Sequence, residues 1–177
     1  MDIKQPFNLF QWIEKNRHLL KPPVGNKNLY VDAGDYIVMI VAGPNARKDY
    51  HYNETEELFF QLEGEIIVKT QQNNKCVEIP IKAGEMFLLP AKIPHSPSRS
   101  ENSIGLVIER VRKGSDMKDG LMWFCDSCNH SLFESFFPLL DIEKDFLSVF
   151  KTFYNDKNLR TCKKCGTEMQ ADKRFTS

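Results

Sequence analysis

Two histidines, a glutamate and four cysteines carry most of the chemistry open to this chain. His51 lies in Arg47-Lys48-Asp49-Tyr50-His51-Tyr52-Asn53-Glu54-Thr55-Glu56-Glu57, and His95 closes Gly84-Glu85-Met86-Phe87-Leu88-Leu89-Pro90-Ala91-Lys92-Ile93-Pro94-His95. Two neutral imidazoles and one carboxylate form the facial triad of non-haem Fe(II) oxygenases, which leaves three positions of an octahedral ion open. Alternate residues of a strand share a face. Glu57 therefore projects with Phe59 and Gln61, whereas Leu58, Phe60 and Leu62 make the opposite face wholly apolar. Glu54 and Glu56 compete for the carboxylate role. Asn53 offers an amide oxygen, a poor ligand beside imidazole, and is expected outside the set.

Cys125-Asp126-Ser127-Cys128 and Cys162-Lys163-Lys164-Cys165-Gly166 are two Cys-x-x-Cys knuckles. Facing one another, they supply four thiolates in a tetrahedron, the closed geometry of structural zinc. Gly166 and Asn129 directly follow the two pairs, and both residue types tolerate the positive φ that turns backbone N–H groups toward sulfur. Rubredoxin-like iron for electron transfer needs the same ligands, and a redox dithiol is a further reading, though its usual βαβ context is absent. The cations Arg160, Lys163 and Lys164 can offset the thiolate charge. His130 is expected on the surface, with substitution for a cysteine as the alternative. Cys76 is expected to be a buried apolar residue, and His18 a surface or packing residue.

The elements that must position these groups are short. Asn8 to Lys21 reads as an amphipathic helix, capped by Asn8 and stopped by Pro22-Pro23. Apolar and β-branched runs follow at 36–42, 58–62, 65–70, 76–81, 86–89 and 104–111, separated by turn-forming stretches that include 93–98. Many short strands of this kind predict a sandwich or barrel. A second helix is expected over 141–155, with Asp141 as its cap and Ile142, Phe146, Val149, Phe150 and Phe153 as a packing face.

Composition narrows the partners. The 177 residues carry 24 basic and 24 acidic side chains, without the basic footprint of a nucleic-acid binder or the polybasic stretch of a membrane-surface protein. The longest clean apolar run, 37–43, is too short to span a bilayer. No basic segment precedes an apolar stretch near Met1, so a secretory signal is not expected. Five cysteines with paired spacings fit reduced, metal-holding thiols and a cytoplasmic location.

These residues resemble the cupin superfamily: His51, Glu57 and Gly64 fit its first motif, and Gly84, Pro90 and His95 its second. The spacing to Gly64 selects Glu57 over Glu54 and Glu56. The chain is similar, over nearly its whole length, to the 3-hydroxyanthranilate 3,4-dioxygenase family in its short form. The specific stretches are Asn45-Ala46-Arg47-Lys48-Asp49-Tyr50-His51, Glu56-Glu57-Leu58-Phe59-Phe60-Gln61, Pro94-His95-Ser96-Pro97-Ser98-Arg99 and Leu106-Val107-Ile108-Glu109-Arg110.

The resemblance implies a mainly β fold: a cupin-type double-stranded β-helix, or jelly-roll barrel, with a few helices and a small C-terminal rubredoxin-like knuckle segment. Residues 1–118 would form the barrel and 119–177 the four-cysteine segment. The implied reaction is extradiol-type opening of 3-hydroxyanthranilate by O2 to 2-amino-3-carboxymuconate semialdehyde. That product leads to quinolinate in NAD biosynthesis by the kynurenine pathway. His51, Glu57 and His95 would hold catalytic Fe(II), and Cys125, Cys128, Cys162 and Cys165 structural zinc or iron. Arg47 would stabilise developing negative charge on oxygen, and Arg99 would grip the substrate carboxylate. Glu109 would lie at that carboxylate, hydrogen-bonded with Arg99, and Glu57 would also touch the substrate hydroxyl. The family suggests a homodimer. Another cupin metalloenzyme acting on a small aromatic acid, and a non-catalytic cupin sensor, are the competing readings.

Overall fold

A computed structural model describes residues 3, 5–21, 25–45, 47–112, 114–139 and 142–176, with the backbone alone given for 142–144. Pro22-Pro23, Ala46 and the expected cap Asp141 lie outside the described residues.

Helix α1 (Leu9–Asn16) starts as its sequence predicts, with Asn8 Oδ1 accepting the Gln11 N–H at 3.0 Å. It ends earlier than Lys21, tightening into a 3₁₀ turn at Arg17–Leu19. There Arg17 reaches both Glu14 and Glu63. Ile13 and Leu20 pack on Ile40, Ala42 and Ile104, so this segment covers one end of a sheet.

Eleven strands follow among the described residues: β1 (Asn26–Asn28), β2 (Tyr36–Ala42), β3 (Tyr50–Asn53), β4 (Glu57–Glu63), β5 (Glu65–Gln72), β6 (Lys75–Lys82), β7 (Met86–Leu89), β8 (His95–Arg99), β9 (Ile104–Arg110), β10 (Asp119–Phe124) and β11 (Ser131–Phe137). They form two antiparallel sheets, ordered β1-β2-β9-β4-β7 and β11-β10-β3-β8-β5-β6. This is the expected mainly β, cupin-type barrel. The six strands anticipated from β-branched runs are all present. β3 and β8 are not among them, because Tyr-His-Tyr-Asn and His-Ser-Pro-Ser-Arg carry no apolar alternation. The stretch 93–98, expected to separate strands, instead contributes most of β8, which is held by pairing with β5 from Ile66↔Arg99 to Thr70↔His95.

The inner faces meet in a core of Val41, Phe59, Ile66, Val68, Ile81, Leu89 and Val107. A second, aromatic core surrounds Trp123, which stacks on Phe153 at 4.3 Å, with Phe150 and Tyr154 edge-on to it. Helix α2 (Ile142–Asn155) supplies Phe146, Phe150, Phe153 and Tyr154, the last two near-fully buried. The expected phenylalanine stripe is thus a packing face. A single turn, α3 (Lys157–Arg160), leads into the second knuckle.

The 118/119 boundary anticipated from sequence falls at the first residue of β10. That strand pairs with β3 from Asp119↔Asn53 to Met122↔Tyr50, so the barrel sheet continues across it. No described helix is long and apolar enough to cross a membrane.

Candidate active site and metal centres

Strand alternation and pairing bring the first cluster together. Cross-strand register sets His51 (β3) opposite His95 (β8), and Glu57 (β4) opposite Glu109 (β9). One ligand atom each from His51, Glu57 and His95 lies within 4.8 Å of the others. His95 Nε2 is 3.0 Å from Glu57 Oε2. Its Nδ1 faces the Ile93 carbonyl at 3.0 Å, which assigns the proton to Nδ1 and leaves Nε2 with a lone pair for a cation. Glu54 is half-buried and Glu56 exposed, whereas Glu57 is buried, so only Glu57 joins the cluster. Asn53 points its amide nitrogen at Glu57 (3.3 Å) and Glu109 (3.5 Å), supporting the carboxylates from outside the set.

Burial disfavours the Glu57 carboxylate, but the facing His95 and His51 outweigh it and hold its pKa below the usual range. Burial likewise opposes charge on His95, yet Glu57 raises its pKa overall. Glu109 moves the other way: burial and the neighbouring Glu57 charge push its pKa up.

Arg99 lies four residues after His95 on the same face of β8 and is 4% exposed. The only described hydrogen bond of its guanidinium runs from Nη1 to Gln61 Oε1 at 3.3 Å, and its buried Nε has no partner. Burial lowers its pKa to about 10, opposed by Glu57. Room for the guanidinium comes from Gly105. A β-carbon there would sit 2.9 Å from Arg99 Nη1 and 2.8 Å from Gln61 Oε1. A buried, under-satisfied cation is costly unless an anion completes it. The expected Arg99–Glu109 hydrogen bond is absent: Glu109 Oε2 instead accepts from Arg112 Nη1 at 2.8 Å.

Arg47 is one-third exposed and ion-paired with Asp49. Its guanidinium lies 5.7 Å from the Phe150 ring centroid, and it lines a cleft of about 370 Å³ with Lys48, Tyr154 and residues 170–173. The structure therefore directs Arg47 to Asp49 and the α2 wall, while the same helix turns Phe146 onto the His51 ring at 5.4 Å.

Sequence reasoning missed Arg112 and Asp119. Both are buried, and Asp119 Oδ1 lies 2.7 Å from His51 Nε2. No spacing signal marks them, since Asp119 is separated from His51 by 68 positions.

The second cluster is as the knuckles predict. The four Sγ atoms of Cys125, Cys128, Cys162 and Cys165 lie within 4.8 Å of one another, with Cys125–Cys165 and Cys128–Cys162 both at 3.6 Å and no disulfide. A tetrahedral ion with metal–sulfur bonds of about 2.3 Å demands sulfur–sulfur edges of about 3.8 Å, so the cage fits such an ion. The two loops repeat one backbone pattern. Asn129 N donates to Cys125 O and Gly166 N to Cys162 O, both at 2.9 Å, with φ of 55° and 76°. The Thr167 hydroxyl and N–H lower the Cys165 pKa to about 6.

His130 and His18 are exposed. Cys76 is exposed too, contrary to expectation, because β6 is the edge strand and only its Ile81 is buried; the thiol lies 3.3 Å from Tyr50 Oη.

The family model of 3-hydroxyanthranilic acid dioxygenase matches residues 1–154. A protein of Xanthomonas oryzae pv. oryzae named 3-hydroxyanthranilate 3,4-dioxygenase is 55% identical over 172 residues, covering 97% of this chain and 96% of that one. Another of the same name from Bacillus thuringiensis is 44% identical over 164 residues, covering 92% and 90%. Among solved structures, a cupin-2 domain containing protein from Shewanella frigidimarina superimposes with a TM-score of 0.47 at 20% identity, covering 56% of this chain and 92% of that one.

Proposed function

The chain belongs to the 3-hydroxyanthranilic acid dioxygenase family, and from that premise we propose how its residues divide the work of opening the ring of 3-hydroxyanthranilate with O2. The product is 2-amino-3-carboxymuconate semialdehyde, on the route to quinolinate and NAD. Both oxygen atoms enter the product, so no external reductant is needed.

His51, Glu57 and His95 are the ligands of a ferrous ion; a mixed nitrogen and oxygen donor set with open positions supports iron over a closed structural metal. That ion, when bound, supplies the means of passing electron density from the aromatic ring to dioxygen. The chain's own residues bind and orient. Arg99 holds the substrate carboxylate, and the observation that carries this assignment is its buried Nε without a partner, on the strand face that bears His95. Glu109, paired across the sheet with Glu57 and held by Arg112, lines the same cluster, and burial and the Glu57 charge push its pKa up. Glu57 both ligates and accepts from the substrate hydroxyl. Arg47, once released from Asp49, stabilises negative charge developing on oxygen. Phe59 and Phe146 flank the two imidazoles and exclude water.

At the cysteines, four thiolates with no open position support structural zinc. A homodimer is supported by the outer face of the first sheet, where Tyr36, Met86 and Leu88 are all more than half exposed beside Leu58 and Ile108. The two Cys-x-x-Cys pairs, spaced for a metal and not for a disulfide framework, support a cytoplasmic location. The test is oxygen uptake and ultraviolet product formation with 3-hydroxyanthranilate, with and without added Fe(II). No uptake by protein verified to hold iron would overturn the assignment.

A further inference from the structure

The least explained groups near the first cluster are Arg112, just past β9, and Asp119, the first residue of β10, both absent from the set read from sequence. Asp119 opens β10 and its side chain is 0% exposed. Its Oδ1 faces His51 Nε2 at 2.7 Å. Arg112 occupies the same carboxylate with two donors, Nε to Oδ2 at 2.9 Å and Nη2 to Oδ1 at 2.8 Å. The third nitrogen, Nη1, serves Glu109 Oε2 at 2.8 Å, the Arg110 carbonyl at 2.9 Å and Thr55 Oγ1 at 3.3 Å. One buried guanidinium therefore ties the partner of a metal-site histidine to the glutamate that stands opposite Glu57.

Asp119 does not belong to the His51, Glu57 and His95 cluster itself. Its described hydrogen bond to the cluster is to His51 alone. A carboxylate that accepts one ring N–H of an imidazole fixes the tautomer and the ring plane and raises the basicity of the other nitrogen. Asp119 thus faces one ring nitrogen of His51, Nε2, as the Ile93 carbonyl faces one of His95, Nδ1. The two differ in kind. A backbone carbonyl comes with the strand, whereas Asp119 must be held in place, and burying a carboxylate is costly without a cation and hydrogen bonds. Arg112 supplies both.

We propose that Asp119, clamped by Arg112, is a positioning residue for the iron: it sets the orientation and proton location of His51, and the clamp extends the same control to Glu109. This inference rests on the reading of His51 as an iron ligand. The test therefore begins with the iron affinity of the wild-type protein and of His51→Ala, by competition with a chromophoric chelator. If His51→Ala binds iron as tightly as wild type, the ligand reading itself fails.

If that reading stands, Asp119→Asn, which keeps shape and loses the charge, should lower iron affinity by roughly 10- to 100-fold. It should also change the electron paramagnetic resonance of the nitric oxide adduct and lower kcat, with KM for the substrate little altered. Asp119→Glu should recover part of the affinity. A merely structural role would lower the unfolding midpoint of the metal-free protein and leave the affinity and the spectrum alone; that result, or an affinity for Asp119→Asn within about threefold of wild type, overturns the proposal. Should neither variant fold, the wild-type protein loaded with Zn(II) at the iron site decides. A downfield, slowly exchanging imidazole N–H proton resonance that disappears in His51→Ala supports the proposal, and its absence overturns it.

Discussion

The two metal-site clusters of this molecule solve opposite problems. The cysteine cage takes one residue type from two loops, each knuckle repeating the same pair of backbone hydrogen bonds. Four such sulfurs would fill the coordination sphere of a tetrahedral ion. The histidine–glutamate cluster draws His51, Glu57 and His95 from three different strands. It mixes nitrogen and oxygen donors, leaves coordination positions open, and keeps Arg99 Nε without a partner beside it. A closed set of like ligands stabilises a fold. An open set of unlike ligands, with an unsatisfied cation nearby, is held for something that arrives later.

Variants should separate the two regions. The largest effect is expected for His95→Ala, which removes one of three protein ligands. Oxygen uptake should fall to background and iron affinity by more than the 10- to 100-fold typical of a lost outer-shell partner, while the metal-free unfolding midpoint drops by only a few degrees. Turnover retained by a variant verified to hold iron would break the contrast.

Cys162→Ser should give the inverse signature. Metal at the cysteines is lost, stability falls by several kcal/mol, and the midpoint drops by on the order of 10 °C, yet each folded molecule keeps iron-dependent turnover. Differential scanning calorimetry with metal analysis checks this. Wild-type stability in a Cys162→Ser protein that binds no metal would remove the structural role.

Arg99→Met removes charge-assisted bonds worth about 3 kcal/mol, so KM for 3-hydroxyanthranilate should rise roughly 100-fold, with partial recovery in Arg99→Lys. Kinetics with 2-aminophenol, which lacks the carboxylate, should be nearly unaffected by the substitution. Equal losses on both compounds would show that Arg99 acts on something other than the carboxylate.

The smallest effect concerns pH. Burial opposes the Asp119 carboxylate, but His51 and Arg112 hold its folded-state pKa below the usual value. A lowered carboxylate pKa contributes stability that is present above the unfolded value, about 3.9, and is lost as pH falls through the folded value. Thermal unfolding of metal-free wild type and Asp119→Asn should therefore converge as pH drops below about 4. A gap that widens on acidification would contradict the sign.

Legibility followed the range of the interactions. The β2, β4, β5, β6, β7 and β9 strands were readable because apolar alternation is local, and the knuckles because Cys-x-x-Cys and a positive-φ residue lie within five positions. β3 and β8 were not, because their polar residues are strands only through their neighbours. The exposure of Cys76 was equally hidden, since nothing in its run says that β6 is an edge.

By itself, then, the sequence determined the ligand types, the barrel class and the family, all of which rest on residue identity and short spacing. Tertiary structure alone decided that Asp119 reaches His51 across 68 positions and that the buried Arg99 guanidinium lies against Gln61 across 38. The physical reason is that a buried charge takes its partner from whichever chain segment pairing brings within about 3 Å, and sequence separation places no limit on that choice.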